Sequence, residues 1–93
     1  MVRLSGVVHE LKIWPDEIRA VMAGYKRFEY RKNDRDYHIG DYLKLREWYP
    51  AREEYGDLSI CVEVTWITKT GFGLPDGYCV MSVKPVDPAF CVK

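Results

Sequence analysis

Apolar and polar positions alternate along this chain with two different periods, and each change of period marks an element. Val7 to Ile13 reads as a first strand, of mixed character because Glu10 and Lys12 interrupt it. Trp14-Pro15-Asp16-Glu17 then opens a helix. Proline suits the first helical turn, and two acids suit the positive end of the macrodipole. Ile18, Val21, Met22 and Tyr25 recur at i, i+3, i+4 and i+7, an apolar stripe about three turns long, which Gly24 is expected to end as a left-handed cap.

From Arg27 the period becomes two, with Phe28 and Tyr30 on one face and Glu29 and Arg31 on the other, which predicts a strand with a polar face. Asn33-Asp34-Arg35-Asp36 is turn chemistry, and Ile39-Gly40-Asp41 leads into a third strand over Tyr42 to Trp48, where Leu43 and Leu45 alternate with Lys44 and Arg46. Pro50 to Asp57 is expected to be a charged, hairpin-like loop. Leu58 to Ile67, rich in β-branched and aromatic residues, predicts a central strand. Lys69 to Gly77 holds three glycines and a proline, so it is expected to be an irregular, mobile flap. Tyr78 to Val83 supplies a fifth strand, and the tail with Pro85 and Pro88 is expected to be weakly ordered. These elements predict an α+β domain over residues 1–93, a small, mostly antiparallel β-barrel, closed or nearly so, of five strands with one main helix after the first.

Composition narrows the function classes. The chain has 93 residues, enough for one modest core, and 47% of them are hydrophobic. Its 14 basic and 14 acidic residues cancel, which argues against a protein that coats nucleic acid uniformly. The charge is nevertheless divided: Arg19 to Arg35 holds six basic residues against Glu29 and Asp34, and Glu47 to Glu63 holds five acids against Arg52. Cys61, Cys79 and Cys91 are odd in number and lack C-x-x-C spacing, so neither a disulfide framework nor a zinc site is expected, and a reducing, cytoplasmic setting is implied. Arg3, His9, Glu10 and Lys12 break up the first fifteen residues, and no later run approaches the roughly 20 apolar residues of a membrane span. There is no P-loop, G-x-S-x-G or H-E-x-x-H, and Ser59 and Ser82 have no base nearby in sequence. No cofactor, metal or membrane partner is expected.

Gly24-Tyr25-Lys26-Arg27-Phe28-Glu29-Tyr30-Arg31 fits the pattern G-x-K-x-x-E-x-R at each of its four fixed positions. That signature, its place at the end of the first helix, and Gly40-Asp41 followed by Leu43 resemble the ASCH domains of the PUA-like superfamily. His9 to Ile13, Gly71-Phe72-Gly73-Leu74 and Asp76-Gly77-Tyr78 look like a compact bacterial and phage ASCH-like family of undefined function, so the resemblance runs from His9 to Val83. It implies a barrel beside a helix with a polar cleft between them, and an association with RNA. Some relatives are similar to deacetylases of N4-acetylcytidine, in which a lysine, a threonine three residues later and a distant glutamate act together; others are ribonucleases. Here Lys26 keeps the lysine, Glu29 stands in place of the threonine, and only Gly71 to Gly77 occupies the region of a longer helical insertion.

Lys26, Glu29 and Arg31 are therefore the candidate floor of a site for RNA or a nucleotide. A carboxylate between two cations orients them toward a phosphate or a base edge. Arg27, Lys32 and Arg35 flank the motif as candidate phosphate contacts, with Lys12 and His9 beside them on the first strand. His9 is expected to line the cleft and His38 to sit on the surface. Trp14, Trp48, Trp66 and Tyr78 are able to stack on a base; Trp66 is expected in the core and Trp48, at a strand end, outside it. A module binding RNA or a nucleotide is the first expectation. The alternative is a small hydrolase acting on a modified nucleoside, or a ribonuclease, with Lys26 and Glu29 as its catalytic pair.

Overall fold

The computed structural model describes residues 6–92, so Arg3 lies outside the described residues. Its elements are strand β1 (Val8–Ile13), helix α1 (Pro15–Met22), β2 (Phe28–Lys32), β3 (Tyr42–Tyr49), β4 (Glu54–Thr68), β5 (Tyr78–Pro85) and a short 3-10 helix (Pro88–Cys91). The five strands form one sheet in the order β1-β3-β4-β5-β2, curled into a half-barrel with α1 packed against β3 and β4. Among the described residues only β1 and β3 run parallel; the other pairings are antiparallel.

The core fills the inside of the curl because alternate residues of each strand point there. His9, Leu11 and Ile13 come from β1, Leu43 and Leu45 from β3, Val62 and Val64 from β4, and Cys79, Met81 and Val83 from β5. Ile18 and Val21 of α1 close it. Burying each of the larger aliphatic side chains contributes about 1.5–3 kcal/mol. The helix ends at Met22, about one turn before its apolar stripe does, and both Met22 and Tyr25 are exposed. It ends in a Schellman motif: Gly24 has φ +84°, its N–H donates to Val21 O, and Tyr25 N–H donates to Ala20 O.

Four expectations are overturned. The charged loop is only four residues long, because β4 starts at Glu54 and pairs with Tyr49. Trp66 is exposed rather than buried: the register slips between Val64 and Trp66, so Thr65 and Trp66 both lie outside, as an extra residue in one strand requires. Cys61 and Cys91 form a disulfide, their Cα atoms 5.9 Å apart. The odd cysteine is Cys79, buried in the core. Val86 N–H donates to Cys61 O and Asp87 caps the 3-10 helix by accepting from Ala89 N–H, so the tail is an ordered element tied to β4. Sequence spacing carries no trace of that pairing, because it depends on the chain after β5 turning back beside β4.

No helix among the described residues is long and apolar enough to cross a membrane. Nor do the described residues hold a group of three or more His, Cys, Asp or Glu side chains arranged for a metal ion.

Candidate functional site

Because β1 and β2 are the two edges of the curled sheet, an open seam lies between them. Arginines cross it. Arg31 Nη2 donates to Lys12 O at 2.8 Å, and Arg35 Nη1 donates to Glu10 O at 3.2 Å. These side chains hold the edge carbonyls of β1 that no neighbouring strand can take.

Behind Arg31 the signature residues assemble into one charged network. The strand β2 turns its polar face inward, so Glu29 is only 2% exposed. Glu29 Oε1 accepts from both Nε (3.0 Å) and Nη2 (2.9 Å) of Arg31. Glu29 Oε2 faces Lys26 Nζ at 3.0 Å, and the same ammonium meets Glu17 Oε1 of α1 at 2.9 Å. The turn after Gly24 thus carries Lys26 round to Glu29, and the network joins α1, β2 and β1. Burial lowers the Lys26 pKa, but hydrogen bonding and charge from Glu17 and Glu29 outweigh it and hold the ammonium above its usual value.

In front of this wall the seam widens into a groove of about 380 Å³ lined by Lys12, Arg31, Lys32 and Arg35, with Glu10 and Asp34 as its acids and Tyr55 at its rim. Lys12 Nζ stands 3.8 Å from the centroid of Trp48, which meets Tyr55 edge-on at 4.9 Å. Arg46 stacks on the other side of that pair, 3.8 Å from Tyr55, while its Nη1 reaches Glu10 Oε2 at 3.1 Å. A pair of rings with a cation on either side therefore borders the groove.

Of the candidate residues, Lys12, Arg31, Lys32 and Arg35 line the groove, Lys26 and Glu29 brace it from behind, and Trp48 borders it through Lys12. His9 does not line it: the ring is buried, Nε2 donates to Asp41 Oδ2 at 2.8 Å, and Tyr37 packs edge-on against it. Arg27 is also elsewhere, donating to Gly24 O beside the gap between α1 and β5. His38 is half-buried, its Nδ1 2.7 Å from Asp36 O. Sequence reasoning passed over Arg46 and Tyr55. Arg46 was recoverable from its period-two relation to Trp48, whereas Tyr55 was hidden in a segment read as loop.

A second buried acid, Glu47, was also not foreseen. Its Oε1 accepts from Leu58 N–H at 3.4 Å where the register slips between Arg46 and Trp48, and its Oε2 lies 3.6 Å from Arg19 of α1. A Cβ on Gly56 would run into that carboxylate and Tyr49, so glycine is required there. Glu47 braces the helix against the far end of the sheet.

Residues 8–83 match the family described as "Domain of unknown function (DUF3850)". A stretch of 41 residues is 46% identical to a protein of Escherichia phage P2 described as "Uncharacterized 12.9 kDa protein in GpA 3'region". That stretch covers 44% of this chain and 38% of the phage protein.

Proposed function

The chain belongs to the family of the domain of unknown function DUF3850, and from that premise we propose that it is a PUA-like, ASCH-related module binding single-stranded RNA or a nucleotide in the groove between β1 and β2. The observation that supports this is the convergence of Lys12, Arg31, Lys32 and Arg35 on one open seam. Arg31 is already oriented by Glu29 and Lys12 O through Nε and Nη2, so Nη1 has two further donors for a phosphate oxygen. Little side-chain freedom remains to be lost on binding. Trp48 and Tyr55 add rings on which a base can lie.

The same network disfavours the hydrolase alternative. Lys26 is held as an ammonium by two carboxylates, which suits a fixed charge and not a nucleophile or base. Glu29 has both oxygens engaged.

The test is a fluorescence anisotropy titration of the whole chain with a labelled single-stranded oligouridylate at several salt concentrations. Affinity should fall with a log–log slope of about −0.7 for each phosphate contact. The double variant Lys32→Gln/Arg35→Gln should flatten that slope by about 1.4, the share of two contacts. Binding that ignores salt, or a double variant with the wild-type slope, would show that the groove is not the site.

A further inference from the structure

We propose that the outer face of β2, β5 and β4 is a stacking platform for the bases of a single strand of RNA, whose phosphates occupy the β1–β2 groove. This inference rests on the groove assignment above and adds where the bases go. The observation behind it is that β2 is inverted. A strand alternating Phe28 and Tyr30 with Glu29 and Arg31 ordinarily buries its rings. Here the charged pair faces the core, and Phe28 and Tyr30 remain 47% and 50% exposed.

The slip in β4 adds a third ring to the same face, because it turns out Trp66, which is 61% exposed. Register sets the rings in rows. Trp66 lies opposite Ser82 and Ser82 opposite Phe28; Thr68, Val80 and Tyr30 form the next row; Tyr78 and Lys32 follow. Ser82 separates the two rings of the first row, and short side chains leave Tyr30 the one ring of the second, which keeps the aromatic faces from covering one another. Tyr30 and Tyr78 stand with centroids 5.6 Å apart. Phe28, Tyr30 and Lys32 alternate along β2 about 7 Å apart, a spacing that successive nucleotides of an extended strand can follow.

Charge selects the occupant. Lys32 belongs both to this face and to the groove, so the two surfaces are continuous across the β2 edge. Arg27 and Lys32 bracket β2, and Lys26 Nζ lies 5.3 Å from the Phe28 ring. A polyanion meets complementary charge at both ends of the strand. A second copy of the chain docked by a two-fold axis would set these cations against their own equivalents. Stacking on rings is also tolerant of sequence, since every base has a π-face.

The experiment compares two ligands on the whole chain: a single-stranded oligouridylate and an abasic sugar–phosphate oligomer of the same length and charge. Tyr30→Leu/Tyr78→Leu keeps side-chain bulk on an exposed surface, and unchanged thermal melting checks that it folds. It should weaken oligouridylate binding about 10- to 100-fold while leaving the abasic oligomer and the salt slope as in wild type. Wild-type affinity for oligouridylate in this variant overturns the platform and leaves the groove standing, and so does an equal loss for both ligands. If wild type binds neither oligomer, both assignments fall. If sedimentation shows a wild-type dimer that the variant converts to monomer with RNA binding unchanged, the face joins two copies of the chain and the platform is overturned.

Discussion

Glu29 controls the rear wall of the groove. Its carboxylate is buried, and its two oxygens meet Arg31 and Lys26. Glu29→Gln leaves Arg31 without its counter-charge and Lys26 with Glu17 alone, and should destabilise the fold by on the order of 3–5 kcal/mol, as removing one member of a buried charge network does. Lys26→Met leaves Glu29 paired with Arg31, so its cost should be nearer 1–3 kcal/mol, about that of one charge-assisted hydrogen bond. Urea unfolding of the two variants checks the order. The same network sets a pH dependence. Lys26 is raised by Glu17 and Glu29 against burial; Tyr37 is raised by burial against Arg31 and Arg35; Cys79 is raised by burial against Lys69 and Arg31. Each group holds its proton more tightly in the folded chain than in the unfolded one. Its contribution is therefore complete below the unfolded pKa and is lost as pH rises through the folded value. The urea midpoint should fall from about pH 9 upward, and fall less steeply in Lys26→Met.

At the scale of elements, the strongest covalent constraint is the Cys61–Cys91 disulfide, which ties the 3-10 helix to β4 across a separation of 30 residues. Phe90 stacks on Tyr42 of β3 beside it, ring centroids 5.2 Å apart. Closing a loop of that length in the unfolded chain is worth about 3–4 kcal/mol in the chain-entropy account. Dithiothreitol should lower the melting temperature of the wild type, and Cys91→Ser should melt at that lower temperature with or without reductant. The sequence made the elements themselves legible. Gly24 marked the end of α1 through its left-handed backbone, and the alternation in β3 placed Leu43 and Leu45 inside. Three features were not legible, because alternation states which residues share a face, and neither which face turns inward nor which distant segment the strand will meet. For β2 the choice is made by Lys26, which the turn after α1 brings to Glu29 and whose ammonium Glu17 of α1 also holds. For Trp66 it is made by a slip against β5, and for Cys61 by the return of the tail. The signature located Lys26, Glu29 and Arg31 together, while the border of Arg46 and Tyr55 needed the hairpin of β3 and β4 to be seen.

At the scale of the molecule, the sheet order leaves the first two strands of the chain as its edges, and α1 connects one edge to the other. A half-barrel built this way has a centre in β3, β4 and β5, each paired on both sides, and a seam where backbone groups lack a neighbouring strand. Side chains of Arg31 and Arg35 take the carbonyls of Lys12 and Glu10 there. Within a strand the N–H and C=O of one residue point the same way, and alternate residues point oppositely. The N–H groups of Glu10 and Lys12 therefore look into the seam, while those of Leu11 and Ile13 point toward β3, the strand paired with β1. Amide hydrogen exchange should resolve this difference residue by residue, with Glu10 and Lys12 exchanging much faster than Leu11 and Ile13, and with β3, β4 and β5 slowest of all. Adding saturating oligouridylate should slow exchange at Glu10 and Lys12 first, because a strand seated in the groove shields that edge. Uniformly slow exchange along β1 in the free protein would mean that the seam is closed, and exchange at Glu10 and Lys12 unmoved by bound oligonucleotide would place the ligand on another surface.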